Sequence, residues 1–509
     1  MSSQFRFARR QFLQRSSALT LGLLSCARTG LASTDYPRAD QLAFINRLSW
    51  GVNAKTLADV ERQGQAAWLE AQMHPKGEGT LPAAIERQIA AMTINKVPMS
   101  LLWYQLSEKL KSVQKSAGSP EQKAQEQQNI QKQFAAISRE AAAQQMLYAI
   151  YSPNQLQEQL AWFWMNHFSV FQEGPLRVMM GDYYRRVIKP HVLGRFVDLF
   201  RATVYSPQML LYLNNAQNAK GHINENYGRE IMELHTVGVG SGYTQADVTN
   251  LARVLTGLGV AIPGQPIRVP PQFEDAFWQD GLVVFNPARH DSDPKTVFGH
   301  VFHGKGLDEI NQVIEFLGNH PATARHISTQ LAQFFVAENP PKELIDRMVD
   351  TWQKSHGEIA SVLRTLFYHR EFTHSLGKLF KDPLHYLISA ARLLPDEVVI
   401  NHTDPLVNWS NLMGEALYGR STPDGYQLGA SHWNGSGQMA NRFEFAGFIA
   451  ARPGALVQPP PKVLIDMNSP FIQELLGSFS TQTRKIIEQA KNSRQTVSLL
   501  LSAPEFMWR

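Results

Sequence analysis

From about Gln41 onward, apolar residues recur three and four positions apart, as at Leu42, Ile45 and Leu48, and strictly alternating runs are few. That spacing lines one face of an α-helix, so the chain reads as mainly helical. Residues 100–150 predict a long helical hairpin broken at Ser116–Pro120. Its second half, EQKAQEQQNIQKQFAAISREAAAQQ, has strong helix formers but a thin apolar stripe, which points to a solvated arm rather than to core. Further helices are predicted over Pro153–Phe168, Phe196–Leu213 and Asn224–Val237. Residues 257–306 break the period. Pro and Gly are frequent there, and the runs PIRVPPQF, GLVVFNP and TVFGHVF predict a small sheet or an ordered excursion. Pro321 stands where a helix begins, and helices continue to about Leu394. A loop-rich segment over 401–465 and a final helical stretch complete a multi-helical globular body, read as one large domain over 33–509.

The first 32 residues form a different object. They contain Arg6, Arg9, Arg10, Arg15 and Arg28 and no acidic residue. ARRQFLQ resembles the twin-arginine export consensus, and the apolar stretch SALTLGLLSCA follows it. That stretch is too short to span a bilayer, and no later run approaches the length of a transmembrane helix. The expected location is the periplasm or cell envelope. Two ends for the signal are open: Gly30-Leu31-Ala32 suits an ordinary signal peptidase, whereas Leu23-Leu24-Ser25-Cys26 resembles a lipobox that would give Cys26 a lipid anchor. Cys26 is the sole cysteine, so disulfides, thiolate catalysis, zinc–cysteine sites and iron–sulfur clusters are excluded from the mature chain. Beyond the signal, the remaining basic residues balance the 44 acidic ones one for one, which gives no electrostatic reason to expect nucleic acid as a partner.

Three segments hold candidate chemistry. NENYGREIMELH, residues 224–235, places Ile223, Tyr227, Ile231 and Leu234 on one arc of an α-helix of roughly 80°. Asn226, Arg229, Glu230 and Glu233 fill the adjoining arc of about 100°, with His235 directed elsewhere. Glu230 and Glu233 suit an acid/base pair or a cation held through oxygen, and Arg229 and Glu233 equally suit an ordinary helix ion pair. After this helix, Gly238, Gly240 and Gly242 lie in a loop, and Thr244 is placed to cap the next helix. In LAWFWMNHF, His167 faces the core at helical spacing from Leu160, Phe163 and Trp164, as a packed imidazole, a metal or haem ligand, or a general base. In NPARHDSDPK, Arg289, His290, Asp291, Asp293 and Lys295 crowd one turn, as a solvated loop or as an oriented base. HExxH, a GxSxG elbow in a strand–turn–helix setting and the di-iron Glu-x-x-His pattern are all missing from these segments.

Taken together with FINRLSWG, QAAWLEAQM, SPQMLLYLNNAQN, ARVLTGLGV, NHPATARHISTQLAQFFV and KDPLHYLISAARLL, these motifs resemble the bacterial secreted family called domain of unknown function 1800, over the whole mature chain. The resemblance implies an exported, largely helical protein, often encoded beside an exported phosphatase/sulfatase-like protein. It marks Asn166, His167, Asn224, Glu225, Asn226, Arg229, Glu230, Glu233, His235, His290, Asp291, Lys295 and Arg325. Asn214 stands where the family pattern has Asp and Gln330 where it has Lys, which weakens a metal reading here.

The expectation is an exported enzyme that hydrolyses or modifies an envelope polymer, with assistance from a divalent metal as one form. His167, Glu230, Glu233, His290 and Asp291 would be catalytic, and Asn166, Asn214, Asn226, Arg229, Lys295 and Arg325 would bind substrate. The site would lie between the His167 helix, the Glu230 helix and the His290 loop. The alternatives are a non-catalytic scaffold for the phosphatase/sulfatase-like partner, docked through the Gln-rich arm, and a haem protein with His167 as ligand.

Overall fold

A capping box closes the predicted break in the hairpin. Ser119 accepts from the Gln122 amide, Gln122 returns a bond to the Ser119 amide, and Pro120 occupies the first turn. The two arms are the helices Met99–Lys115 and Pro120–Tyr151. The second arm is solvated over most of its first half, where Ile130 and Phe134 supply its apolar contacts, and it is buried from Ala141 to Ile150. The structure, a computed structural model, describes residues 38–509; the twin-arginine signal and Cys26 lie outside the described residues.

Residues 37–509 gather into one compact, mainly α-helical unit. At its centre lies the Gln155–His167 helix, buried on all sides because helices before and after it in the chain pack around it. Its neighbours include Arg38–Leu48, Gln65–Met73 and Pro120–Tyr151, and a π-helical segment over Tyr183–Ile188. Polar groups on so enclosed a helix need partners. Glu158 has Lys189 at 2.7 Å and the Tyr184 hydroxyl as donors.

The predicted Phe196–Leu213 helix is two helices, Phe196–Val204 and Pro207–Tyr212. Pro207 has no amide to donate and Ser206 caps the new start, so the helix restarts there. The Pro/Gly-rich excursion holds β1 (Leu258–Val260), β2 (Trp278–Asp280) and β3 (Val283–Phe285) in an antiparallel sheet ordered β1-β3-β2. β4 (Lys295–Val297) and β5 (His300–Phe302) form a separate hairpin. The helix predicted at Pro321 runs to Phe335. The segment 401–465 is rich in loops and also carries two helices, Asp404–Leu412 and Ser436–Ala451. Their packing face buries Leu406, Val407, Phe445, Ala446 and Ile449. Among the described residues no helix is long and apolar enough to cross a membrane.

Buried guanidinium groups tie distant segments together. Arg392 donates to the carbonyl of Gly51 at 2.6 Å, to Thr56 at 3.0 Å and to the carbonyl of Ile150. Burial draws its pKa down to about 9, and these acceptors, with Asn53 and the charge of Asp396, support the guanidinium. Arg392→Met leaves two main-chain carbonyls without their donor and is expected to cost on the order of 3 kcal/mol. Urea denaturation measures this; an unchanged midpoint would show that the carbonyls find water instead.

Candidate active site

The Asn224–His235 segment does not continue as one α-helix. Asn226–Glu230 is α-helical, and Ile231–His235 winds as a π-helix. A wider turn brings positions four apart into line, so Tyr227, Ile231 and His235 are buried while Leu234 is only partly covered. His235, expected to point away from the core, instead enters it.

On the outer edge the charges largely pair with one another. Arg229 donates to Glu233 at 3.3 Å, Glu225 at 3.2 Å and Gln245 at 2.9 Å. Burial, then the neighbouring charge of Glu233, pushes the half-buried Glu230 carboxyl above its usual range. Among the described residues no hydrogen bond or ion pair joins Glu230 or Glu233 to His167 or His290, and no third His, Asp or Glu completes a metal-ligand set with them. Asn226 lies on the same edge, exposed Asn214 sits in a left-handed turn, and exposed Arg325 pairs with Asp346 at 2.9 Å.

His167 belongs to an internal imidazole group. Its ring centre lies 6.1 Å from that of His235 and 6.3 Å from that of His326. Nε2 donates to the His235 carbonyl at 3.1 Å, and Nδ1 faces the Gln330 amide at 2.7 Å. Burial, reinforced by His326, takes its pKa down to about 3, so the ring is neutral. An axial haem ligand needs a free nitrogen facing open space; both nitrogens of His167 face protein groups, and the ring packs among Phe163, Trp164 and Phe168.

In the His290 turn His290, Asp291 and Lys295 are buried, while Arg289, Ser292, Asp293 and Pro294 are exposed. His290 Nε2 lies 3.3 Å from Glu309, and Lys295 Nζ lies 2.8 Å from the same carboxylate. Burial opposes the charge on Glu309, but His290 and Lys295 outweigh it and hold the pKa below the usual range. Asp291 is bound by Arg253 at 2.7 Å. The structure thus gathers His290, Asp291 and Lys295, as the sequence suggested, around Glu309 and Arg253. These groups fix the hairpin β4–β5 to the Leu307–Gly318 and Gln245–Val254 helices.

A different constellation faces open space. The Pro383–Ala391 helix begins at Asp382, whose Oδ1 caps the His385 amide at 2.8 Å. Its Oδ2 accepts from His385 Nδ1 at 2.5 Å. The Leu384 amide, also exposed by the helix start, donates to Glu415 at 2.8 Å. Two carboxyl groups therefore meet at one helix N-terminus, where Asp382 acts on the titration of Glu415. Burial and the adjacent Asp382 drive the Glu415 pKa well above the carboxylate range, so Glu415 carries a proton. Burial opposes ionisation of Asp382 too, but His385 and Arg509 overcome it and keep Asp382 an anion. Burial, then Arg509, lowers His385 to about 4, which leaves a neutral ring donating from Nδ1.

Asp382 and Glu415 line a cavity of about 450 Å³. Trp162, Tyr426 and Trp433 form an aromatic wall, with ring centres 6.3 and 6.2 Å apart. Asn166 fixes that wall: its amide donates to the Tyr426 carbonyl at 2.8 Å and its carbonyl accepts from the Tyr426 amide at 2.6 Å. Gly425, at φ +69°, allows this contact, since a Cβ there would lie 2.3 Å from the Asn166 carbonyl oxygen. Of the residues singled out from sequence, Asn166 alone lines this cavity. Asp382, His385 and Glu415 were missed. The local signal was KDPLHYL, with an acid before a helix-starting proline and a histidine three residues on; Glu415 gives no local signal.

The fold defines the class: a mainly α-helical globular protein with a few short strands in small sheets. Within that class the chain belongs to the DUF1800 family, whose model, described as a protein of unknown function, matches residues 43–508. No curated protein and no solved structure matches it.

Because Glu415 keeps its proton in the fold, its contribution to stability is full below the ordinary value of 4.5 and is lost as pH rises through its higher folded value. Glu415→Gln replaces the protonated carboxyl by an amide that cannot ionise. Its melting temperature is expected to gain on that of the unaltered protein as pH rises above 4.5, and to stay ahead once the folded value is passed. Parallel melting curves across that range in calorimetry would show that no such proton is held.

Proposed function

We propose that this protein is an exported acid–base hydrolase working in the Asp382–Glu415 cavity. The observation that carries the reading is the ionised and the protonated carboxyl side by side, opening on space large enough for one or two sugar- or amino-acid-sized units. Asp382 takes a proton from a water molecule as its oxygen attacks the electrophilic carbon of the substrate. Glu415 gives its proton to the departing oxygen or nitrogen as that bond breaks. The proton gained by Asp382 then passes to Glu415, which restores the starting state with one water consumed. His385 holds Asp382 in place and, being neutral, leaves its charge intact.

The twin-arginine motif supports delivery across the inner membrane, and that compartment supports an envelope polymer as the substrate. In this reading Glu230, Glu233 and the His290 turn take no part in the chemistry; Glu233 is paired with Arg229, and His290 and Lys295 with Glu309.

Asp382→Asn and Glu415→Gln are each expected to lower turnover of envelope-polymer fragments by about a hundredfold or more, with circular dichroism showing that both variants keep the fold. Digestion of isolated cell-wall and exopolysaccharide fractions, followed by mass spectrometry of released fragments, reads this. Undiminished release by both variants would refute the carboxyl mechanism. Replacing Arg9 and Arg10 by lysine is expected to leave the full-length precursor in the cytoplasm, seen by fractionation and immunoblot.

A further inference from the structure

A second cavity, of about 520 Å³, shares no lining residue with the first. The Ala54–Gln63 helix gives it one stripe, in which Leu57 and Glu61 stand four apart and therefore side by side. The turn after the Pro383–Ala391 helix contributes Leu393 and Leu394, then Asp396 and Glu397. The Pro470–Gly477 helix contributes Phe471 and Glu474, one turn apart, with Asp466 in the loop before it. The floor is apolar: Leu57, Leu393 and Leu394 are buried, and Phe471 is partly buried. A concave apolar floor of this volume is the form in which proteins receive a ligand or a partner's side chains.

The charges around that floor are all of one sign. Glu61, Asp396, Glu397, Asp466 and Glu474 line the cavity, and among the described residues no lysine, arginine or histidine does. Asp396, Glu397 and Asp466 are exposed and, among the described residues, form no ion pair. Asp466 accepts from the Asn468 amide at 3.0 Å, a bond that leaves its charge in place. Arg62, next to Glu61 in the chain, is taken by Asp59 at 2.5 Å. Arg392 feels the charge of Asp396, but it is buried and donates inward to Gly51, Thr56 and Ile150. Like charges gathered round one cavity repel one another, and a cationic partner relieves that repulsion.

We infer that this cavity docks a peptide segment of a partner protein, one in which apolar side chains are flanked on both sides by lysine or arginine. The apolar side chains leave water against Leu57, Leu394 and Phe471, and the basic ones meet the carboxylates of the rim. Those carboxylates stand on three separate segments around the floor. That spread suits several cations carried by one chain, whereas a small amine has only one to offer. The sign of the rim turns away nucleic acid and anionic lipid. The inference stands apart from the reading of the Asp382–Glu415 cavity.

Isothermal titration of the full chain tests this with three end-blocked hexapeptides and one amine. The first peptide has leucine and phenylalanine at its centre and two lysines on each side. The second replaces the lysines by glutamate, the third replaces the centre by two serines, and phenethylamine offers one cation on an apolar body. The first peptide is expected to bind about tenfold or more tightly than the other three probes, and to weaken as sodium chloride is raised from roughly 50 to 500 mM. The double variant Glu397→Gln, Asp466→Asn alters two exposed side chains and is expected to weaken it about fivefold or more. Phe471→Ala, which keeps every rim charge, is expected to weaken it by a similar factor. Circular dichroism checks that both variants keep the fold. Absent binding, equal binding of the lysine and glutamate peptides, or binding indifferent to both variants overturns the docking site. A serine-centred peptide that binds as tightly as the first would reduce the effect to charge alone and overturn it as well. Phenethylamine binding as tightly would make the occupant a small amine and overturn the peptide assignment.

Discussion

Two carboxyl groups buried at one helix N-terminus cannot both be charged, and much of the site follows from that constraint. The helix offers Asp382 and Glu415 one amide each, and the positive end of its dipole favours a single anion there. The second carboxyl must hold a proton, and the choice falls on Glu415 because His385 and Arg509 stand nearer in effect to Asp382. Difference in environment, rather than in residue type, makes one an acid and the other a base.

That arrangement is expensive to hold in place, and the surrounding structure shows how it is held. Arg47 joins the carbonyls of Phe335, Ser375 and Arg509 at 2.6–2.7 Å, so the first described helix is fastened to the segment that carries Arg509. Arg442 fastens the Ser436–Ala451 helix to Lys381, next to Asp382. Arg47 serves three main-chain acceptors that lie 288, 328 and 462 residues further along the chain, a task suited to its fixed fork of donors. The cavity floor is therefore built by long-range polar ties inside a hydrophobic body, and apolar packing alone would not fix its registry.

The helical character, the hairpin with its break, the small sheets and the start at Pro321 were legible because each rests on local chemistry: apolar spacing, a capping residue, a proline. The segment over 401–465 reads as loop-rich from its Gly, Pro and Asn, and its two helices lie between those loops. The site was less legible still. Asn166 was found through its place beside His167, though its part in holding Tyr426 depends on a loop 260 residues away. His290, Asp291 and Lys295 do converge, but Glu309, which explains them, lies on another element. The pairing of Asp382 with Glu415 joins residues 33 apart through a helix end and an intervening helix, and no spacing rule announces it.

The π-helical turn at Ile231–His235 carries a consequence for how this segment tolerates change. It accommodates one more residue than an α-helical turn of the same rise, and that surplus is what seats an imidazole, rather than Leu234, against Phe168 and His167. Shortening the segment by a single residue would tighten the coil, exchange a ring for an aliphatic chain at the centre of the molecule, and rotate the glycine loop that follows. Length, as much as composition, is under constraint at this point of the chain.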